Sequence, residues 1–107
     1  MKHSKYKIRP AGFEDAIAIF NLIRKFPEQL LARPIGDIAQ NIDRFIICEV
    51  DGAIAGAISW QIMPEIGAPR NPSVEIKSLA VMSKYHKSGI GRALVKAAIR
   101  NVRKLHP

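Results

Sequence analysis

The chain has 107 residues, enough for one domain built round one hydrophobic core. Its 48% hydrophobic and 24% charged content is that of an ordinary globular chain, and no apolar run reaches the ~20 residues that a bilayer span needs. Seventeen basic residues against nine acidic ones leave a formal charge of +8, which favours a polyanionic partner: nucleic acid, an anionic membrane surface or a phosphorylated cofactor.

Met1-Lys2-His3-Ser4-Lys5 is basic, but no apolar signal core follows it, so a cytoplasmic location is expected. The lone Cys48 agrees, because no disulfide framework is possible, and within Phe45-Ile46-Ile47-Cys48 it reads as a small buried hydrophobe. Residues 6–9 read as a short opening strand stopped by Pro10. Glu14 and Asp15 suit the positive first turn of a helix, whose apolar stripe would be Ile17, Phe20, Leu22 and Ile23, closed by Phe26-Pro27. A loop over residues 30–34 precedes a second short helix over 37–44, with Ile38 and Ile42 four apart.

Residues 45–50 form a β-branched strand, Asp51-Gly52 is a hairpin turn, and residues 53–62 are its partner, with Ile54, Ile58, Trp60 and Ile62 on one face. Pro64, Gly67, Pro69 and Pro72 mark a stiff loop before a strand over 73–81. The last helix, 92–105, carries Leu94, Val95, Ala98, Ile99, Val102 and Leu105 on its inner face and Arg92, Lys96, Arg100 and Arg103 outside. The order β-α-α-β-β-β-α predicts a mixed α/β (α+β) fold, a mostly antiparallel sheet with helices packed on it. The basic stripe lacks interleaved aromatics and any common nucleic-acid motif, so it reads as a solvated helix face.

The most informative stretch is Ser83-Lys84-Tyr85-His86-Lys87-Ser88-Gly89-Ile90-Gly91-Arg92, a glycine-bearing loop between a strand and a helix. A helix N-terminus offers unpaired N–H groups and partial positive charge, glycines let an anion approach the backbone, and Lys87 and Arg92 add formal charge. This predicts a pyrophosphate cradle. The loop lacks the Gly-Lys-Ser/Thr ending of a P-loop, and Leu94 stands where a dinucleotide fold wants a small residue.

Ser78-Leu79-Ala80-Val81 followed by Gly89-Ile90-Gly91-Arg92-Ala93-Leu94 resembles the cofactor motif of the GNAT superfamily of N-acetyltransferases, a hydrophobic strand followed by Arg/Gln-x-x-Gly-x-Gly/Ala. Ile8-Arg9-Pro10-Ala11 with Glu14-Asp15 is similar to that family's opening strand and helix. Three stretches resemble its amino-acid N-acetyltransferases of the N-acetylglutamate synthase type: Leu30-Leu31-Ala32-Arg33-Pro34, Ile42-Asp43-Arg44-Phe45 and Glu75-Ile76-Lys77-Ser78-Leu79-Ala80-Val81. The resemblance implies acetyl-CoA as co-substrate. Its pantetheine arm would pair with the backbone of Leu79, Ala80 and Val81, and its pyrophosphate would lie on His86, Lys87, Ser88, Gly89, Ile90, Gly91 and Arg92. No metal is implied.

A small-molecule amine must lose a proton before it attacks a thioester, and a carboxylate kept from water serves as base. The resemblance makes Glu75 that base; the alternative is a same-face pair with Lys77. Arg33 would grip an acceptor carboxylate with two parallel hydrogen bonds, unless it is an exposed loop arginine. Lys77 and Trp60 would face the acceptor pocket.

Two departures from the family stand out. His86 replaces the usual Arg or Gln. The family also continues with a fifth strand and a fourth helix, whose tyrosine protonates the leaving thiolate, and neither Tyr6 nor Tyr85 takes that position. The chain therefore reads as a truncated acetyltransferase domain whose fourth strand keeps an open edge, and self-association through residues 73–81 is expected. Three functions compete: an amino-acid N-acetyltransferase, a non-catalytic CoA-binding module, and a basic nucleic-acid-binding protein, the last disfavoured.

Overall fold

The computed structural model describes residues 6–27, 33–63 and 73–105. The basic N-terminal pentapeptide, Leu30-Leu31-Ala32, the Pro/Gly-rich loop and His106 lie outside the described residues. Strands β1 (Tyr6–Pro10), β2 (Phe45–Val50), β3 (Ala53–Met63) and β4 (Ser73–Val81) form one antiparallel sheet in the order β1-β2-β3-β4. Helices α1 (Ala16–Ile23) and α2 (Ile35–Gln40) cover one face, and α3 (Ile90–Leu105) covers the other. The expected order and the mixed α/β class therefore hold.

The two faces of the sheet carry separate cores. Under α3 lie Ile46, Cys48, Ile58, Trp60, Leu94 and Ala98; under α1 and α2 lie Ile19, Leu22, Ile38, Phe45, Ile47 and Ala80. Burial pushes the Cys48 thiol up from its ordinary value, with the Glu49 charge adding to it, so Cys48 acts as the small hydrophobe its neighbours imply.

Strand β1 ends at Pro10 as expected, with the proline itself included as the last residue, opposite Ile46, on an edge strand where a proline is tolerated. Several expectations are corrected. Ile17 is 66% exposed while Ile19 is fully buried. A 3₁₀ turn at Phe13–Asp15 precedes α1, so the inward face runs through Ala16, Ile19, Leu22 and Ile23. The second helix is α2 followed by a separate 3₁₀ turn at Ile42–Arg44. Helix α3 begins at Ile90, two residues earlier than expected, and its Ile99 is 44% exposed.

Ile54 does not share a face with Ile58 and Trp60. Cys48 pairs with Gly56 but Glu49 pairs with Ile54, so Ala55 is one extra residue. A one-residue slip exchanges the faces of a strand, and Ile54 packs on the α1 side. A second irregularity lies between β3 and β4: Ser59 pairs with Ser78 and Trp60 with Ile76, leaving Lys77 as the extra residue.

Arg9 ties three elements together. Its Nη1 and Nη2 donate to Asp15 Oδ2 and Oδ1 at 2.8 and 3.0 Å, and its Nε donates to Glu49 Oε1 at 2.8 Å. The Gly12 N–H also donates to Asp15 Oδ2, at 2.7 Å. Asp15 is thus a buried clamp at the entry to α1 as well as a dipole partner. The Arg9 hydrogen bonds hold both carboxyls below their ordinary values and raise the guanidinium's own.

Candidate functional site

The end of β4 and the start of α3 make one side of the site. Met82 N–H donates to Ala55 O at 2.8 Å, and Val81 lies opposite Gly56. In an antiparallel ladder that bond flanks a pair that does not exchange hydrogen bonds with each other. The N–H and C=O of Val81, and by alternation those of Leu79, therefore point away from β3. Ala80 is bonded to Ala57 and its side chain is buried under α1. Of the three residues expected to meet a pantetheine arm, the open edge thus presents Leu79 and Val81.

A 3₁₀ turn at Ser83–Tyr85 leads to a turn over residues 86–89 with φ of +69° at Lys87 and +91° at Gly89. Its amides are sparsely used. His86 and Ser88 N–H donate to Ser83 O and Tyr85 O, and Ile90 N–H reaches only Ser88 Oγ, at 3.3 Å. The first helical bond is Ala93 N–H to Gly89 O, so the N–H groups of Lys87, Gly89, Gly91 and Arg92 have no acceptor among the described residues. Left-handed residues beside helix-start amides form a concave donor set suited to an anion. A Cβ on Gly91 would approach nothing nearer than Val81 Cγ2, at 3.9 Å, so this glycine faces the end of the strand across open space. Lys87 and Arg92 are exposed around it.

His86 does not point freely outward. Its Nε2 lies 2.7 Å from Val81 O, and its ring stacks on Phe26 with centroids 6.3 Å apart and planes 25° from parallel.

The other side of the site is the sheet face beneath α2. Arg33, with a side chain 15% exposed, donates from Nη1 to Ser59 Oγ at 2.9 Å and to Ser78 Oγ at 3.1 Å, and from Nε to Asp37 Oδ2 at 2.8 Å. Its guanidinium carbon lies 5.0 Å from the Phe45 ring centroid. Asn41 Nδ2 holds the other Asp37 oxygen at 3.2 Å. Arg33 is therefore not a free loop arginine: it bridges α2 to β3 and β4, and its Nη2 makes no hydrogen bond among the described residues. Glu75, opposite Gln61, falls on this same face by alternation from Ser59. It is exposed and forms no ion pair with Lys77, because the bulge at Lys77 breaks the period of two that would align them. Trp60 lies on the opposite face, buried under α3, and does not reach this pocket.

The profile of the Acetyltransferase (GNAT) family matches residues 13–106. The chain belongs to this family. It is 31% identical over 94 residues to an amino-acid acetyltransferase of Vibrio atlanticus (strain LGP32), a match that covers 86% of this chain and 20% of that protein. Its structure is similar to N-acetylglutamate synthase from Neisseria gonorrhoeae in complex with coenzyme A and N-acetyl-glutamate, with a TM-score of 0.81, 29% identity and coverage of 98% of this chain and 24% of that one. The fold is shared with diaminobutyrate acetyltransferase from Paenibacillus lautus, with a TM-score of 0.71, 24% identity and coverage of 91% and 58% of the two chains. This GNAT chain thus spans about a fifth to a quarter of the length of its amino-acid acetyltransferase and synthase relatives. No helix among the described residues is long and apolar enough to cross a membrane.

Sequence reasoning missed Ser59 and Ser78, which are almost fully buried beneath Arg33. A serine at two inward positions of apolar strands was the available signal, since a buried hydroxyl needs a partner. The His86 bond to its own strand carried no signal, because histidine on a loop is compatible with many contacts.

Proposed function

We propose that this chain binds acetyl-CoA along the outer edge of β4 and transfers the acetyl group to the amine of an amino acid or a related small molecule. The single observation that carries the reading is the set of N–H groups at Lys87, Gly89, Gly91 and Arg92 with no acceptor among the described residues, in line with the outward backbone groups of Leu79 and the outward N–H of Val81. Those amides suit a diphosphate, and the charges of Lys87 and Arg92 reinforce them. The strand edge suits the amide-bearing arm, as it would an added peptide strand. Bound there, acetyl-CoA supplies a thioester whose carbonyl carbon accepts the amine.

The chain's own side chains then have separable tasks. Arg33 Nη2, with the Ser59 and Ser78 hydroxyls beside it, suits the carboxylate of an amino-acid acceptor. Glu75 on the same face suits removal of the ammonium proton, directly or through water. The new N–C bond forms as the C–S bond breaks, and the thiolate takes up a proton. The charge of Lys77, exposed at the bulge, suits an anionic acceptor. The exposure of Glu75 supports a second reading, a CoA-binding module without turnover, because an exposed carboxylate lacks the low-dielectric setting a general base uses. The open edge of β4, with Val74, Ile76 and Leu79 between 38% and 41% exposed, also supports self-association.

Thiol release measured with a panel of amino acids, alongside CoA calorimetry, tests the proposal. Turnover with one or a few amino acids, lost by at least ~100-fold in Glu75→Gln, is expected. Binding without turnover selects the module, and no CoA binding overturns both readings.

A further inference from the structure

The turn that presents the free amides is fastened to the strand edge by one side-chain bond from His86. The Val81 carbonyl only accepts, so the 2.7 Å contact requires a proton on His86 Nε2. The ring is gripped on one side by Phe26, just beyond α1. Among the described residues, the other hydrogen bonds of residues 86–89 are local, the longest being that from Ala93 N–H to Gly89 O, four residues along the chain, and the turn holds two left-handed residues. A turn so lightly bonded and so unusual in backbone needs a fixed point. His86 supplies one at the last residue of β4, where the open edge ends.

We infer that His86 is a positioning residue rather than a phosphate ligand: through its Nε2–H bond to Val81 it sets the distance between the diphosphate cradle and the strand edge. A consequence follows for the edge itself. The outward carbonyl of Val81 is engaged by His86, which leaves the Val81 N–H, with both groups of Leu79, to meet the arm of a thioester carrier. The bond needs a side-chain N–H donor at that reach and no positive charge. A glutamine amide meets that requirement and alanine does not.

This inference rests on the acetyl-CoA reading for its ligand, but its geometry can be read without one. In the unliganded full chain, nitrogen-15 NMR of the imidazole is expected to report the Nε2–H tautomer for His86, and the Nδ1–H tautomer or a freely averaging ring overturns the inference. In CoA calorimetry, His86→Ala is expected to weaken binding about tenfold, with His86→Gln returning to within about threefold of the parent. A His86→Gln variant as weak as His86→Ala assigns the histidine to charge and overturns it too. If the parent chain binds no CoA, the acetyl-CoA reading fails, and the tautomer alone decides this one.

Discussion

Replacing Gly91 and Gly89 by alanine, one at a time, pushes stability in opposite directions. The nearest atom to a Cβ built there is Val81 Cγ2 at 3.9 Å, an ordinary contact, so the protein accepts the methyl without strain. Gly91 is the second residue of α3, and alanine is the better helix former. A gain of roughly 0.5 kcal/mol, or about 2–4 °C in Tm, is expected. The resembling motif carries Gly or Ala at this position, so CoA binding by this variant is expected to stay within about threefold of the parent. Thermal unfolding and CoA calorimetry on the same preparation read both effects. Gly89→Ala is the contrast: at φ +91° a Cβ is strained by about 1–2 kcal/mol, so its stability falls, and a turn that shifts to relieve the strain loses one charge-assisted bond to a diphosphate, about 2 kcal/mol or roughly 30-fold in Kd. A Gly89→Ala variant that binds CoA as tightly as the parent refutes the cradle, and a Gly91→Ala variant that unfolds more easily refutes the packing argument.

Gly56→Ala is expected to destabilise by about 1–3 kcal/mol in denaturant unfolding, because the new methyl would sit 3.0 Å from Leu94 Cδ1 and 3.2 Å from the Ala80 carbonyl, between β3 and α3. Acid should weaken the fold through Asp15 and Glu49. Both carboxyls are held below their ordinary values, so their contribution is full above 4.5 for Glu49 and 3.8 for Asp15 and is lost as pH falls below those values. Asp15→Asn should flatten that part of a stability-against-pH curve, and an unchanged slope would contradict the clamp. Sedimentation of the full chain is expected to show association that rises with concentration and weakens when Ile76 is replaced by lysine on the β4 edge; a clean monomer at high concentration removes that proposal.

Local signals carried much of the layout. Asp51-Gly52 marks the hairpin because both residues take positive φ there, 53° and 80°. The strands at 45–50 and 73–81 and the amphipathic last helix announce themselves by composition and period. The Gly89 and Gly91 spacing marks the strand-to-helix turn in the sequence itself.

What the chain's order alone could not settle is which way alternating side chains face once a ladder slips. Ala55 and Lys77 are each an extra residue against their partner strands, and such an irregularity is decided by two strands and a helix together. That is why Ile54 left the face of Ile58, and why Glu75 and Lys77 do not pair. The partners of Arg9, Arg33 and His86 are likewise tertiary facts, since Glu49, Ser59 and Val81 reach them only when the sheet has formed. Periodicity and glycine placement are properties of a few neighbouring residues and are written locally; hydrogen bonds between distant residues depend on how the whole sheet closes, and only the folded chain determines them.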